Sequence, residues 1–591
     1  MSAVAPPAKS SVSLVLIGIY LAALVFPPMV AFSLTPSPTL LNQLLAVGGW
    51  GLCLALHRCV PPSGARSQAI GSLAVALAVL MACVVGSWTL GSLPTSLALP
   101  PLGLLIAAVA LAALAARAAQ SGGPEGIDAF APFAIGMVVV GLLSAAVAVV
   151  QVFWPDVPDG NAIARSGLPG RAVGNLRQPN HLASLLVWSL IALVPLMEWR
   201  RIPRWLGGIV GAMLALGVIL SGSRTGQYGG LAVLVLWGAL DFRLSRASRW
   251  MLGVALPVVG LMLWLGVAAY LSSRHQVFGA QARLSEGDSS HFAIWRNAVE
   301  MIRQQPWLGV GWGEFNFAWT LTPFPDRPVA FFDHTHNLPL QLMAELGLPL
   351  SLLVLGLLLA ALWQGARRAW AETGPAGHGA RAAWVMVGLI AVHSLDEYPL
   401  WYAYFLLPAA WAWGFTLGSG PAPARVDRDA SAESTTLIRL GSEGVLLRSV
   451  GVLMIAIAAA AAWDYYRIST IFSDDEEPPL ATRISNGQRS LLFAHHADYA
   501  DATTTEPPSR ALGALERATH SLIDTRLMIA WANALAESGQ ADRARYIVGR
   551  LREFRKEDAA EFLAPCSDPA VKDKPFQCQP EPKGLTWRDF R

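Results

Sequence analysis

Runs of about 20 apolar residues, the length of helix that crosses a hydrocarbon core, recur through the first 463 of the 591 residues. They fall near 12–33, 40–57, 68–87, 98–116, 130–153, 181–198, 205–221, 226–241, 250–271, 338–362, 382–398, 400–418 and 444–463, about thirteen spans in all. A chain of this kind satisfies its backbone in lipid only by closing helical hydrogen bonds, since unpaired peptide groups are too costly there. The sequence therefore predicts an all-α, polytopic membrane bundle. Composition agrees: 54% of residues are apolar and 14% charged, against about 25% charged in an ordinary soluble protein. The net charge of +3 is too small for a nucleic-acid partner, whose phosphates demand a broad basic face.

Charge is also segregated, with 37 of the 83 charged residues in 464–591. Two domains follow: a transmembrane domain over 1–463 with large loops at 154–180 and 272–337, and a soluble-type tail over 464–591. The first apolar run follows a lone Lys9 and lacks a convincing cleavage site, so it reads as a retained helix. With the N-terminus in the cytoplasm, the loops 58–67, 117–129, 199–204, 242–249, 363–381 and 419–443 lie inside and hold fifteen arginines. Every one of these loops obeys the positive-inside rule. An odd number of spans then puts the tail, with the two large loops, outside the cytoplasm. Cys566 and Cys578 share that tail, where an oxidising compartment lets them pair. Cys53, Cys59 and Cys83 lie in or beside spans with no metal-type spacing.

Against this bias, Arg165, Arg171 and Arg177 fall in the first large outer loop. Arg224 sits in the short turn Ser221-Gly222-Ser223-Arg224-Thr225-Gly226, and Arg274, Arg283, Arg296, Arg303 and Arg327 fall in the second large loop. An anionic ligand at the membrane surface accounts for cations placed there. Local pairing with Asp156, Asp159, Glu286, Asp288 and Glu300 is the alternative.

Polar motifs gather at the same surface. Gly174-Asn175-Leu176-Arg177-Gln178-Pro179-Asn180-His181 leads into a span, with Asn180 suited to cap its first turn. The second loop closes on Asp333-His334-Thr335-His336-Asn337. Two histidines at i and i+2 can chelate, yet no acid or cysteine with ligand spacing accompanies them, so no metal is expected. A near-neutral imidazole at a membrane cavity suits general-base work better. Pro306-Trp307-Leu308-Gly309-Val310-Gly311-Trp312-Gly313 lacks the Lys of a phosphate loop and reads as a close-packing turn. The hairpin His393-Ser394-Leu395-Asp396-Glu397-Tyr398-Pro399-Leu400-Trp401-Tyr402 carries two adjacent acids that an aromatic belt does not explain. They could balance the outer arginines or orient a histidine.

Taken in order, these segments of residues 150–420 resemble the bacterial superfamily of O-antigen ligases, O-antigen polymerases and protein O-oligosaccharyltransferases. Arg177-Gln178-Pro179-Asn180-His181-Leu182-Ala183, Glu397-Tyr398-Pro399-Leu400-Trp401-Tyr402 and the C-terminal extension resemble the last of these, the PglL type, most closely. His291 departs from the arginine that many relatives carry ahead of the Trp295 helix. The resemblance implies a GT-C-like bundle that moves a preassembled oligosaccharide from undecaprenyl diphosphate to Ser or Thr of periplasmic proteins, pilin-like or otherwise exported, with no cofactor and no metal. It implies His336 as the base, Gln178 and Tyr398 as positioning groups, and Arg171, Arg177 and Arg224 as ligands of the diphosphate. Asn180, His181, His334, Asn337 and Glu397 are the expected supporting residues. Lipid A core or a growing glycan as acceptor is the sister alternative. A lipid-linked sugar transporter is the alternative outside enzymes, but the span interiors hold almost none of the ionisable residues it would need.

In the tail, Leu512, Leu515, Ala518 and Leu522, then Leu527, Ala530, Trp531, Ala534 and Leu535, then Ala544, Ile547, Val548 and Leu551 follow helical spacing, with a break at Gly539. This resembles one tetratricopeptide-like hairpin, fit either to bind acceptors or to brace the large loop.

Overall fold

A computed structural model describes residues 14–56, 70–121, 127–285, 290–420, 430–474 and 477–591. Lys9, Arg58, Cys59, Arg66, Glu286, Asp288, Arg425 and Arg428 lie outside the described residues, as does the side chain of Arg283. All described secondary structure is helical. The first seven helices are α1 (Leu14–Met29), α2 (Leu40–Leu56), α3 (Gly71–Thr89), α4 (Thr95–Ser121), α5 (Ile127–Phe153), α6 (Pro179–Glu198) and α7 (Arg204–Ser221). A π turn, Thr225–Gly230, continues into α8 (Leu231–Leu240), and α9 (Arg246–Trp250) runs through a second π turn into α10 (Leu256–Ser273). The large loop holds α11 (Gly279–Ser285), α12 (Ser290–Gln304) and α13 (Phe315–Leu321). The spans resume with α14 (Leu338–Ala371), α15 (Gly374–His393), α16 (Ala403–Gly418) and α17 (Ala430–Ser469). The tail forms α18 (Leu480–Gly487), α19 (Ala494–Thr504), α20 (Leu512–Ala518), α21 (Thr525–Glu537), α22 (Ala541–Phe554) and α23 (Ala560–Ser567).

A helix stands at each of the thirteen apolar runs. Among the described residues, eight helices are long and apolar enough to cross a bilayer on their own measure. The chain is a polytopic membrane protein. Helix α6 lies at the centre, buried along nearly its whole length. Trp188 ties it to α15 through the Met386 carbonyl at 2.9 Å, and Ser189 ties it to α5 through the Met137 carbonyl at 2.7 Å. Helices α4 and α16 approach most closely at Gly414 and Gly418, where a Cβ would overlap the backbone of Ala112 and Ala116. Small residues four apart let two helices meet backbone to backbone in lipid, where packing rather than water exclusion drives association.

Because the helices alternate in direction, the bundle has two chemically distinct ends. At one end Trp199 donates to the Pro375 carbonyl, Arg243 to the carbonyls of Trp370 and Glu372, and Arg368 to the Leu417 carbonyl. Arg381 is buried there against Asp241 at 2.7 Å. The polar motifs occupy the opposite end.

The Gly-rich stretch has a specific task at that end. Helix α14 breaks at Gly347, whose φ is +72°. The break frees backbone groups inside a long apolar helix, and the loop supplies their partners. Val310 N–H donates to the Ala344 carbonyl at 3.0 Å, Gly311 N–H to the Glu345 carbonyl at 2.9 Å, and Leu348 N–H to the Pro306 carbonyl at 2.7 Å. Irregular backbone survives there because protein, not lipid, covers it.

The tail packs onto the large loop, and the two share one hydrophobic core, with Phe315, Phe317, Trp319 and Phe332 from the loop and Leu527, Ile547, Leu551 and Phe554 from the tail. Arg327 is buried beside Glu553 at 2.9 Å, and His520 beside Glu314 at 2.8 Å. Cys566 and Cys578 form a disulfide. One helical face differs from its sequence reading: Leu522 is exposed because α20 ends at Ala518. Helix α12 buries Ile294, Ala298, Met301 and Ile302 towards α14 and the rest of the loop, while Val299 faces out.

Candidate active site

The segment Asp333–Asn337 forms a tight turn held from three sides. Thr335 N–H donates to Gln341 of α14 at 2.8 Å, its carbonyl accepts from Trp295 of α12 at 2.9 Å, and Asn337 Nδ2 donates to the Leu395 carbonyl at 2.8 Å. Asn337 also caps α14 by accepting from Leu340 N–H at 3.0 Å. The turn forces His336 into a left-handed conformation, φ +54°. A non-glycine residue in that region costs about 1–3 kcal/mol and persists only where its surroundings fix it, a trait of functional sites.

So held, His336 places Nδ1 2.7 Å from Glu397 Oε2. The other oxygen of Glu397 accepts from Asn180 Nδ2 at 2.7 Å, and Asn180 Oδ1 accepts from the Ser223 hydroxyl at 2.6 Å. One chain of hydrogen bonds thus joins the turn before α14, the hairpin after α15, the start of α6 and the turn after α7. Asn180 does not cap α6, contrary to the sequence reading. Pro179 takes the first helical position, so capping falls to the residue before it: Gln178 accepts from His181 N–H at 2.7 Å, which leaves the Asn180 side chain to reach across.

A second histidine and acid stand beside the first. His291 lies 3.4 Å from Asp396, whose other oxygen accepts from the Thr225 hydroxyl at 2.7 Å. The rings of His291 and His336 stack with centroids 4.7 Å apart. Burial works to raise the Asp396 carboxyl, but the hydrogen bonds from His291 and Thr225 outweigh it and hold the group below its ordinary value. The adjacent acids of the hairpin therefore each orient a histidine.

His334 faces a different way, stacked on Tyr398 at 4.5 Å with Asp333 3.2 Å from its Nδ1. Burial opposes its charge, yet the Asp333 carboxylate holds the ring above its ordinary pKa. Asp333, though buried, is pulled down to about 2 by His334. Tyr398 lies edge-on to His336 at 4.8 Å; burial, with Asp333 and Glu397 near, pushes its phenol upward. His181 is buried below, 3.2 Å from the Tyr404 hydroxyl.

Arg224 follows Ser223 directly and has neither a hydrogen-bond nor an ion-pair partner among the described residues. Arg171 reaches the same turn, donating to the carbonyls of Ser221 at 3.1 Å and Gly222 at 3.4 Å. Arg177, at φ +60°, sends its guanidinium to Ala31, Ser33 and Gly160. Of the outer acids, Asp159 is turned onto the backbone N–H groups of Asn161, Ala162 and Ile163, which lower its pKa.

Three family models match the chain: "O-Antigen ligase" over residues 209–355, "Virulence factor membrane-bound polymerase, C-terminal" over 381–564, and "Protein glycosylation ligase" over 172–196. A general O-oligosaccharyltransferase of Acinetobacter baylyi is 23% identical over 438 residues, 71% of this chain and 72% of the relative. A ComP-specific O-oligosaccharyltransferase of the same organism is 25% identical over 264 residues, 42% of this chain and 44% of the relative. The chain is similar to the PglL-type oligosaccharyltransferases.

The matched segments of this transferase converge on the site. The protein glycosylation match carries Gln178, Asn180 and His181, the ligase match carries Ser223, Arg224 and His336, and the polymerase match carries Asp396 and Glu397. That last match runs on into the tail. Sequence reading named most of these residues but not their pairings. Ser223 and Thr225 went unnoticed as anchors, and the partnership of His291 with Asp396 has no local signal, since 105 positions separate them.

Proposed function

We propose that this transferase moves a preassembled oligosaccharide from undecaprenyl diphosphate to a Ser or Thr hydroxyl of an exported, pilin-like protein on the periplasmic side of the inner membrane. The observation that carries the reading is the hydrogen-bonded run His336–Glu397–Asn180–Ser223, which ends beside Arg224, unpartnered among the described residues. His336 takes the acceptor proton while the hydroxyl oxygen attacks the anomeric carbon. The bond from that carbon to the diphosphate oxygen breaks with both electrons leaving on the diphosphate, so configuration inverts in one displacement. Glu397 fixes the imidazole and stabilises the imidazolium that forms.

Arg171, Arg177 and Arg224 neutralise the departing diphosphate, with Arg224 foremost because the other two already spend donors on backbone carbonyls. Gln178 and Tyr398 shape the pocket for donor and acceptor, supported by His181, His334 and Asn337. The bilayer holds the polyprenyl tail. The test combines purified protein, undecaprenyl-diphosphate oligosaccharide and, in separate reactions, a pilin-like protein or lipid A core. Sugar on the protein supports the proposal. Sugar only on lipid A core, the outcome favoured by the ligase match, would replace it with the sister reaction.

A further inference from the structure

His291 of α12, His336 of the turn before α14 and Glu397 of the hairpin after α15 place one ligand atom each within 4.8 Å of one another. Among the described residues this is the sole group of three histidine, cysteine or acid side chains so arranged. We propose that these residues bind a borderline divalent transition metal, with Zn²⁺ as the natural probe, and that the bound ion inhibits transfer by occupying the base. The inhibitory half of the proposal rests on the assignment of His336 as that base; the binding half does not.

Two imidazoles and a carboxylate match the ligand preference of zinc, which leaves a fourth position for water. Tetrahedral zinc with bonds of about 2.0–2.2 Å sets its ligand atoms roughly 3.4 Å apart, so the cluster needs only small side-chain adjustments. The set is also supported from outside: Asp396 lies 3.4 Å from His291, and Asn180 donates to Glu397 at 2.7 Å. Outer partners of this kind orient ligands and raise affinity. The His291 and His336 side chains are 20% and 16% exposed, so an ion from solvent can reach them. The i, i+2 spacing of His334 and His336 contributes nothing, because His334 is turned to Asp333.

Binding and catalysis compete for the same atoms. A metal on His336 takes a lone pair that proton abstraction requires, and one on Glu397 removes the partner that fixes the ring. The ion is therefore an inhibitor and not a cofactor.

The test uses the full chain, stripped with chelator in detergent. Zn²⁺ binding is measured by calorimetry, and transfer is measured across a Zn²⁺ series with each variant normalised to its own metal-free rate. The expected results are one Zn²⁺ per wild-type chain, at least tenfold loss of transfer as the site fills, and full recovery with chelator. His291→Gln should weaken binding at least tenfold and shift the inhibition curve by the same factor. Absence of stoichiometric binding to the wild type, or an unshifted curve for His291→Gln, overturns the site. Activity that requires the metal overturns the inhibitory role. Should His336→Ala keep metal-free activity, the assignment of the base fails, while the calorimetric result still decides the site.

Discussion

At the scale of single residues, the site depends on a relay whose members differ in what they supply. Glu397 contributes charge and orientation to His336, so Glu397→Gln keeps the shape but loses the negative charge beside the imidazolium; initial transfer rates should fall towards the roughly 10⁴-fold loss seen when the acid of a catalytic triad is neutralised. Asn180 acts one bond further out, and Asn180→Ala should cost about tenfold in the same assay. If both substitutions left the rate within twofold of wild type, the relay would have no part in the chemistry. Arg224→Ala should raise the KM for the lipid-linked donor more than Arg224→Lys, since lysine keeps the charge but not the paired donors. The sequence showed the types of residue needed, because polar groups next to apolar spans stand out. Their pairing was invisible: 61 positions separate His336 from Glu397 and 217 separate Asn180 from Glu397, and only the crossing of α6, α14 and α15 brings them together.

Among the elements, the helices at the apolar runs were legible because a bilayer demands a fixed apolar length, whatever the packing inside. The break in α14 was not, since Gly347 sits in a long, mostly apolar run with Pro349 as its only neighbouring helix breaker. Its meaning comes from the Gly-rich loop, which docks on the break and so connects α14 to the loop carrying His334 and His336. Gly347→Ala introduces a Cβ at φ +72° against the Trp307 carbonyl, and the strained backbone alone should cost about 1–3 kcal/mol. Gly356→Ala, on the same helix with open space around the new methyl, should be neutral or stabilise by up to about 1 kcal/mol. Thermal unfolding in detergent separates the two; equal melting temperatures would mean that the break does not hold the loop.

For the whole molecule, the tail and the large loop act as one folded mass seated on the polar end of the bundle. Sequence spacing marked the tail helices, and the α21–α22 hairpin stands where it was expected, but nothing local revealed that its apolar face meets the loop and not an outside partner. Phe554 shows the coupling, stacked on Phe331 at 4.1 Å and edge-on to Trp319 at 5.6 Å. Phe554→Ala should destabilise this shared core by about 3–5 kcal/mol and lower transfer to a free peptide as well as to a folded acceptor, because the turn bearing His336 loses its backing. Loss confined to folded acceptors would instead make the tail an acceptor-binding surface.

The most direct measurement compares His336→Ala and His334→Ala as purified proteins, with undecaprenyl-diphosphate oligosaccharide and a pilin-like acceptor in metal-free buffer, after both variants are shown to melt as the wild type does. Transfer should vanish in His336→Ala and persist, reduced, in His334→Ala. Full transfer by His336→Ala, or its loss only in His334→Ala, would contradict the assignment of the base.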